Sequence, residues 1–198
     1  MQPAPDLAQP QPAATDAARG AHDSARWTVR AIALRAEPHD ADDAMDRLLR
    51  LWGSDRHAAA LPEEALRRLR HYLQFAHVQP GLRLIEQDEF GDFLLVLLEG
   101  SIAVERVQPW GAGVRLAEAR PGDVLGEMSL LDAGTRASAC VSLQRCLVAV
   151  LDQYSLARMV GEDPRLALAV MAMVARRLSL RLRQTSARLG ALLSREPG

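Results

Sequence analysis

The stretch from residue 75 to residue 152 consists of short apolar segments that alternate with polar positions and are separated by Gly, Pro and Asp. Alternation with a period of two indicates strands, and turns at intervals of about eight to twelve residues are typical of antiparallel sandwiches and barrels. The segment QPWGAG predicts a hairpin tip, where we expect Trp110 to fold back over its own hairpin rather than to serve as a contact residue. The predicted strands lie in the segments FAHV, LRLIEQ, FLLVLLEG, SIAVERV, VRLAEA, VLGE, ASACVSL and RCLVAVLD.

Helical spacing flanks this region on its N-terminal side. Asp40–Trp52 has an acidic start, an apolar stripe at i, i+3, i+4 and i+7, and Gly53 as its stop. The stripe is typical of a helix that packs on the main domain, and the alternative is a helix that docks a partner. A second helix is predicted over Pro62–Tyr72, with Pro in its first turn. Residues 27–34 are apolar but do not distinguish a strand from irregular packing.

The longest predicted helix begins at Asp163-Pro164 and runs to about Leu193. Its apolar residues recur every three or four positions, which suits a helix that lies against the barrel and then against its own copy. Five arginines flank the stripe, and we expect them to form a solvated face beside a dimer contact. The apolar positions are Met171, Val174, Leu178, Leu182, Leu189 and Leu192, and the arginines are Arg176, Arg177, Arg181, Arg183 and Arg188.

The chain therefore divides into four predicted parts. Residues 1–22 are rich in Pro, Ala and Gln and are predicted to be a disordered tail. Residues 23–58 are predicted to be an N-terminal helical extension, residues 59–162 the β-roll, and residues 163–198 the long C-terminal helix. The predicted fold class is mainly β with flanking helices: an antiparallel β-roll (double-stranded β-helix or jelly roll) followed by a long helix.

The charge of the chain and its content of Lys, Cys and His exclude several classes of function. The net charge of −1 gives no overall field for nucleic acid or an anionic membrane. All 24 basic residues are Arg, which excludes mechanisms that need a lysine. Cys140 and Cys146 provide neither a disulfide framework nor metal-ligand spacing, and His71 and His77 lack a third ligand. Neither a secretory signal nor a membrane span is apparent, so we expect a cytoplasmic protein without a membrane partner or metal.

One segment combines the groups that an anion with a sugar would need. It is predicted to pass from a strand through Gly126 into one turn of helix, and a loop then brings Arg136 nearby. A helix N-terminus offers unpaired N–H groups, and a guanidinium matches two phosphate oxygens at once. Glu127, as a carboxylate, accepts hydrogen bonds only and so must face a hydroxyl donor. The residue types favour a compact sugar phosphate.

The run Gly126-Glu127-Met128-Ser129-Leu130 and the later Arg136-Ala137-Ser138-Ala139 closely resemble the phosphate-binding cassette of cyclic-nucleotide-binding domains. This family includes catabolite activator proteins, regulatory subunits of cAMP-dependent kinase and cyclic-nucleotide-gated channels. The resemblance covers about residues 60 to 190 and extends through Pro80-Gly81, the run Gln87–Asp92 and Pro121-Gly122-Asp123.

The resemblance implies a role for each cassette residue. Glu127 would accept a hydrogen bond from the ribose 2′-OH, and Arg136 would pair with the cyclic phosphate. Backbone groups around Gly126, Met128, Ser129 and Ala137 would complete the pocket. Ala137 has no hydroxyl for a guanine, which favours cAMP over cGMP. No aromatic residue of the long helix is placed to cap the base, and Leu178, Leu182 or an arginine could do so instead.

The resemblance also implies the protein's output. The chain has no room for the helix-turn-helix module of catabolite activators after its long helix, so we expect a stand-alone receptor that signals to an unknown partner in trans. We expect a homodimer through that helix, no cofactor and no enzymatic activity. The alternative is a regulator whose pocket is vestigial or takes another ligand, acting in transcription or on nucleic acid through its Arg-rich helix.

Overall fold

Two antiparallel sheets form the centre of the computed structural model, which describes residues 26–53 and 62–194. The five-stranded sheet has the order β1-β2-β9-β4-β7 and the four-stranded sheet the order β3-β8-β5-β6. This architecture confirms the predicted β-roll. The strands are β1 Glu37–Pro38, β2 Gln74–Val78, β3 Arg83–Ile85, β4 Phe93–Glu99, β5 Ile102–Val107, β6 Gly113–Ala119, β7 Val124–Leu125, β8 Ala139–Ser142 and β9 Cys146–Asp152.

Strand β4 is buried on both faces, which explains why its sequence is apolar at consecutive positions. Phe93, Leu95 and Leu97 point into a core between the two sheets, whereas Leu94 and Leu98 point to the opposite side, into a second core. That second core lies between the five-stranded sheet and the helices. A strand covered on both faces needs apolar side chains on both, so it loses the alternation of a half-exposed strand.

The N-terminal region contains helix α1 (Trp27–Ala33), strand β1 and helix α2 (Ala41–Gly53). Residues 27–34, which the sequence left between strand and irregular structure, are thus mostly helical. The stripe of α2 buries Met45, Leu48 and Trp52 in the core beside the five-stranded sheet. The predicted tail at residues 1–22 lies outside the described residues.

The helix predicted over Pro62–Tyr72 is helix α3 (Glu63–Leu69) followed by a 3₁₀ turn, Arg70–Tyr72. The predicted hairpin tip joins β5 to β6, which pair in register from Ile102 opposite Ala119 to Val107 opposite Gly113. The expectation for Trp110 is wrong, because this side chain is 77% exposed. The apolar side chains nearest the tip, Val107 and Val114, are themselves 50% and 43% exposed, so the indole does not cover them.

The short helix α4 (Glu127–Asp132) follows β7, and helices α5 (Gln153–Glu162) and α6 (Pro164–Leu193) end the described chain. The Asp163 carboxylate accepts a hydrogen bond from the Leu166 amide and so caps α6. One face of α6 is buried as far as Val174, whereas Leu182 and Leu189 beyond it are exposed. Within the described residues no helix is long and apolar enough to cross a membrane.

Five arginines of α6 were expected to face solvent, but two of them contact the domain instead. Arg177 donates a hydrogen bond to the Gly122 carbonyl at 2.8 Å, and Arg181 donates to the Val124 carbonyl at 3.0 Å. Both arginines therefore hold the helix against the segment before the cassette. The helix turns by about 100° per residue, so a flanking stripe wide enough for five arginines necessarily includes positions that face the domain.

Candidate functional site

The cassette begins at a glycine whose backbone conformation other residues rarely adopt. Gly126 has φ of +76° and joins β7 directly to α4. This left-handed turn is favourable for glycine because it has no Cβ. The turn places Glu127 and Ser129 in the interior, where they are 3% exposed each.

Arg136 lies in the interior beside this turn and is 2% exposed. Its Nη1 donates hydrogen bonds to the Gly126 carbonyl and the Ser129 hydroxyl, each at 2.6 Å. Its Nε and Nη2 are buried and have no hydrogen-bond partner among the described residues. A buried N–H group without an acceptor lowers the stability of the folded protein. An anion that accepted from these two donors would therefore stabilise the Arg136 guanidinium.

Two glycines make room for this guanidinium. A Cβ built on Gly91 would lie 1.8 Å from Nε of Arg136, and a Cβ on Gly126 would lie 2.6 Å from its Nη1. The ring of Phe93 covers the group as well, with the guanidinium carbon 4.6 Å from the ring centroid. The cation is therefore held by close packing and a cation–π contact rather than by a side-chain ion pair.

The electrostatic setting of Arg136 follows from this burial. Burial lowers the pKa of the Arg136 guanidinium from its usual value, because the charged form loses its hydration. The carboxylates of Glu89 and Asp92 oppose that shift, while the nearby cation of Arg30 adds to it. The guanidinium remains charged over the physiological range because its ordinary pKa is so high.

Glu127, the second buried charge, is paired with the C-terminal helix. Nη1 of Arg181 donates to its Oε1 at 2.5 Å, while Nη2 of the same arginine bonds the Val124 carbonyl. The Arg181 side chain is half exposed and reaches the carboxylate from the solvent side. Helix α6 is thereby connected to the cassette at the residue that the sequence assigned to the sugar.

All six residues proposed from the sequence line one pocket, although they differ in how far they are buried. Met128 and Ala137 are exposed, whereas Glu127, Ser129 and Arg136 are buried. The Ser129 side chain takes part in this arrangement as well as its backbone. The lining residues are Gly126, Glu127, Met128, Ser129, Arg136 and Ala137, together with Ile85, Val104, Leu125, Ser138, Cys140 and Arg181.

Sequence reasoning missed two residues of this site. Gly91 was noticed only as part of the resembling run Gln87–Asp92, and nothing local in that run indicated that it packs on a distant arginine. Arg181 was placed on a solvated face. Its contact with Glu127 joins residues 54 positions apart, and the only local signal was an arginine within the stripe of a helix that had to cover the domain.

The other candidate groups form no second site. Cys140 and Cys146 are free and buried, and burial raises the pKa of the Cys140 thiol to about 12, so it is not a nucleophile at neutral pH. His71 lies in the 3₁₀ turn and His77 on β2. Across residues 26–53 and 62–194 there is no group of three or more His, Cys, Asp or Glu that could hold a metal ion.

Known proteins resemble this chain in sequence and in fold. The family model described as the cyclic nucleotide-binding domain matches residues 75–163. The chain is 29% identical over 117 residues to the cyclic AMP receptor protein of Thermus thermophilus, covering 59% of this chain and 54% of that protein. It is 26% identical over 114 residues to a CRP-like cAMP-activated global transcriptional regulator of Mycobacterium tuberculosis, covering 58% and 51%. The chain thus spans about half the length of the curated relatives it matches.

A solved structure extends the likeness beyond the matched domain. It is a cyclic nucleotide-binding domain from Methylobacillus flagellatus, with a TM-score of 0.71 and 25% identity, covering 80% of this chain and 87% of that one. Of the two curated relatives, one is named as a transcriptional regulator and the other as a cyclic AMP receptor protein. Residues 75–163 of this chain thus match the cyclic nucleotide-binding domain, and a transcriptional regulator is among the curated proteins that the chain resembles.

Proposed function

We propose that this protein is a receptor for a cyclic nucleotide, cAMP, and transmits its binding to a partner protein. Arg136 pairs with the cyclic phosphate, and Glu127 accepts a hydrogen bond from the ribose 2′-OH. The backbone around Gly126, Met128, Ser129 and Ala137 encloses the sugar phosphate. The protein acts as a regulatory module rather than as an enzyme.

The observation that carries this proposal is the buried guanidinium of Arg136. Two of its donors lack hydrogen-bond partners among the described residues, and it shares one pocket with the buried carboxylate of Glu127. Burying a cation without a full set of acceptors is unfavourable unless something compensates. A phosphate provides that compensation. The carboxylate favours a sugar phosphate over an inorganic anion, because the sugar has a free hydroxyl that can donate to it.

Residue 137 supports the preference for adenine. It is an alanine, so this position lacks the hydroxyl that accompanies cGMP binding in the family that the cassette resembles. The residue that covers the base belongs to α6, and Arg181 is the residue of that helix that lines the pocket. A guanidinium plane can stack on a purine as well as an aromatic ring can.

The proposed output passes through α6. Its outer half exposes Leu182, Leu189 and Leu192, which are spaced for contact with a second copy of the same helix. We therefore propose a homodimer, with an effector protein in trans reading the arrangement of the helices. A cytoplasmic location is part of the proposal, since both cysteines are free thiols, as is usual in a reducing compartment.

The structure weakens the nucleic-acid alternative. Tracking phosphates needs arginines that project into solvent, and Arg177 and Arg181 contact the domain instead. Retention of nucleic acid on a filter at two salt concentrations tests what remains of it. We expect no retention that falls as salt rises.

Calorimetry with cAMP and cGMP tests the proposed receptor. We expect the wild-type protein to bind cAMP more tightly than cGMP. Arg136→Ala should weaken binding about tenfold to a hundredfold, because hydrogen bonds to charged groups contribute ~1.5–3 kcal/mol. Arg120→Ala removes an exposed arginine outside the pocket and should leave the affinity unchanged. No heat with either nucleotide at millimolar concentration would overturn the proposal.

A further inference from the structure

Helix α1 contacts the domain directly behind Arg136, and Trp27 is its most deeply buried side chain. Trp27 is 2% exposed, and it is the buried residue of this seven-residue helix. Its ring packs edge-on against Phe93, with 5.5 Å between the centroids. Phe93 is the ring that the Arg136 guanidinium covers. The three side chains therefore pack in series, from the N-terminal helix to the pocket.

A second connection runs through an ion pair. Arg30 of α1 forms a hydrogen-bonded ion pair with Glu89, and both side chains are largely buried. The backbone of Glu89 is itself a partner of the site, because its carbonyl accepts the Arg136 amide hydrogen bond at 2.8 Å. The adjacent Asp88 amide donates to the Arg136 carbonyl at 2.9 Å. Arg30 thus holds the residue to which the backbone of Arg136 is bound.

The charge of Arg30 matters as much as its position. The carboxylates of Glu89 and Asp92 both lie near enough to Arg136 to favour its charged form. Either of them, if it lost its own cation, would compete with a phosphate for the guanidinium. Arg30 engages the first, and Nε of Arg26 lies 4.0 Å from the second. The two arginines at the start of the described chain therefore face the two carboxylates that flank the site.

We propose that α1 positions Arg136 for its anion: Trp27 supports the Phe93 ring beneath the guanidinium, and Arg30 keeps the Glu89 carboxylate from pairing with it. Arg30 and Trp27 are positioning residues and do not touch the ligand. This inference rests on the proposed function for the identity of the anion. It adds that docking of α1 and occupancy of the phosphate site stabilise each other, since coupling between two sites is reciprocal.

A charge-balance experiment tests the role of Arg30 on the full-length protein. We expect Arg30→Gln to weaken cAMP binding about tenfold, a size usual for coupled sites. Adding Glu89→Gln to that variant should restore the affinity to within about threefold of wild type, because no unpaired carboxylate then remains to compete. Ile32→Ala removes a side chain of the same helix that is 79% exposed, and it should change nothing. If the double variant binds as weakly as Arg30→Gln, or if Arg30→Gln binds like wild type, the positioning role is wrong.

Hydrogen exchange tests the link between α1 and Arg136 without any nucleotide. The amides of Leu34 and Ala36 are hydrogen-bonded at the end of α1 and report its docking. Arg136→Ala should speed the exchange of these amides. Glu127→Gln, which removes a buried charge on the other side of the pocket, should not. Strand β9 serves as the check that the variants remain folded. In the wild-type protein, cAMP should slow exchange at the same two amides.

These measurements separate the two proposals. If the wild-type protein binds neither nucleotide, the proposed function fails, and exchange in Arg136→Ala still decides whether α1 supports Arg136. If the protein binds cAMP but exchange in α1 responds to neither the nucleotide nor Arg136→Ala, the inference about α1 fails and the proposed function stands.

Discussion

The two buried charges of the pocket are stabilised in opposite ways. Glu127 is bound by a cation from α6, which reaches it across 54 positions of sequence. Arg136 is surrounded by Gly91, Gly126 and the ring of Phe93, and within the described part of the chain no carboxylate is bonded to it. A carboxylate has two oxygens, so Glu127 can keep Arg181 on one and still accept a hydroxyl on the other. Arg136 retains two donors for which residues 26–53 and 62–194 offer no acceptor.

The pocket therefore depends on elements outside the β-roll. The Glu127 side is connected to α6 near the end of the described chain, and the Arg136 side is connected to α1 at its beginning. The sheets place the cassette, and the two flanking helices set the electrostatic state of its charges. Under the proposed function, binding of the nucleotide would alter contacts with both helices, and this would give a rigid roll a way to transmit a signal.

Filling the space beside the Arg136 guanidinium should weaken cAMP binding most. Gly91→Ala should lower the affinity for cAMP at least tenfold, about 1.4 kcal/mol, because the new Cβ would displace the guanidinium. The backbone at Gly91 is outside the left-handed region, so the substitution tests contact and not strain. Gly113→Ala is the matched control, since its Cβ would meet nothing within 4 Å. Isothermal titration measures both variants, and equal affinities would contradict the packing explanation.

A smaller effect is expected on the Glu127 side. Arg181→Ala should weaken cAMP binding about threefold to tenfold, because the carboxylate loses the contact that orients it and α6 loses its connection to the cassette. Arg183→Ala removes an exposed arginine two positions further along α6, on the opposite side of the helix, and should have no effect. Fluorescence competition with a labelled nucleotide would resolve the difference. Tighter binding by Arg181→Ala would mean that Arg181 competes with the sugar.

The smallest effect on affinity is expected at the outer half of α6. Leu189→Glu should dissociate the proposed dimer, because a charge at a 56%-exposed leucine opposes burial against another helix. It should change the affinity for cAMP by no more than about twofold, since this residue is absent from the pocket. Gln184→Glu adds the same charge on another side of the helix and should leave the dimer intact. Sedimentation velocity decides the result, and an unchanged mass for Leu189→Glu would place the dimer contact elsewhere.

The sequence predicted the roll well because its signals are local. Alternation along each strand, the stripe of α2 and the turn at the β5–β6 tip each depend on residues that are close neighbours in the chain. The cassette is local in the same sense, and its six proposed residues line one pocket. Helix α1 was not predicted as a helix. It has seven residues, no acidic residue in its first turn and no side-chain cap, so its stability comes from docking rather than from local propensity.

The amino-acid order by itself determined the strand segments, the turn glycines and the presence of a carboxylate and an arginine in one cassette, because each involves only a few neighbouring residues. Only the tertiary structure decided that Arg181 engages Glu127, that Gly91 admits the Arg136 side chain, and that Trp27 and Arg30 support the wall behind it. These contacts join residues more than forty positions apart. Their energies come from burial and charge pairing that exist after the chain has folded, so no local pattern carries them.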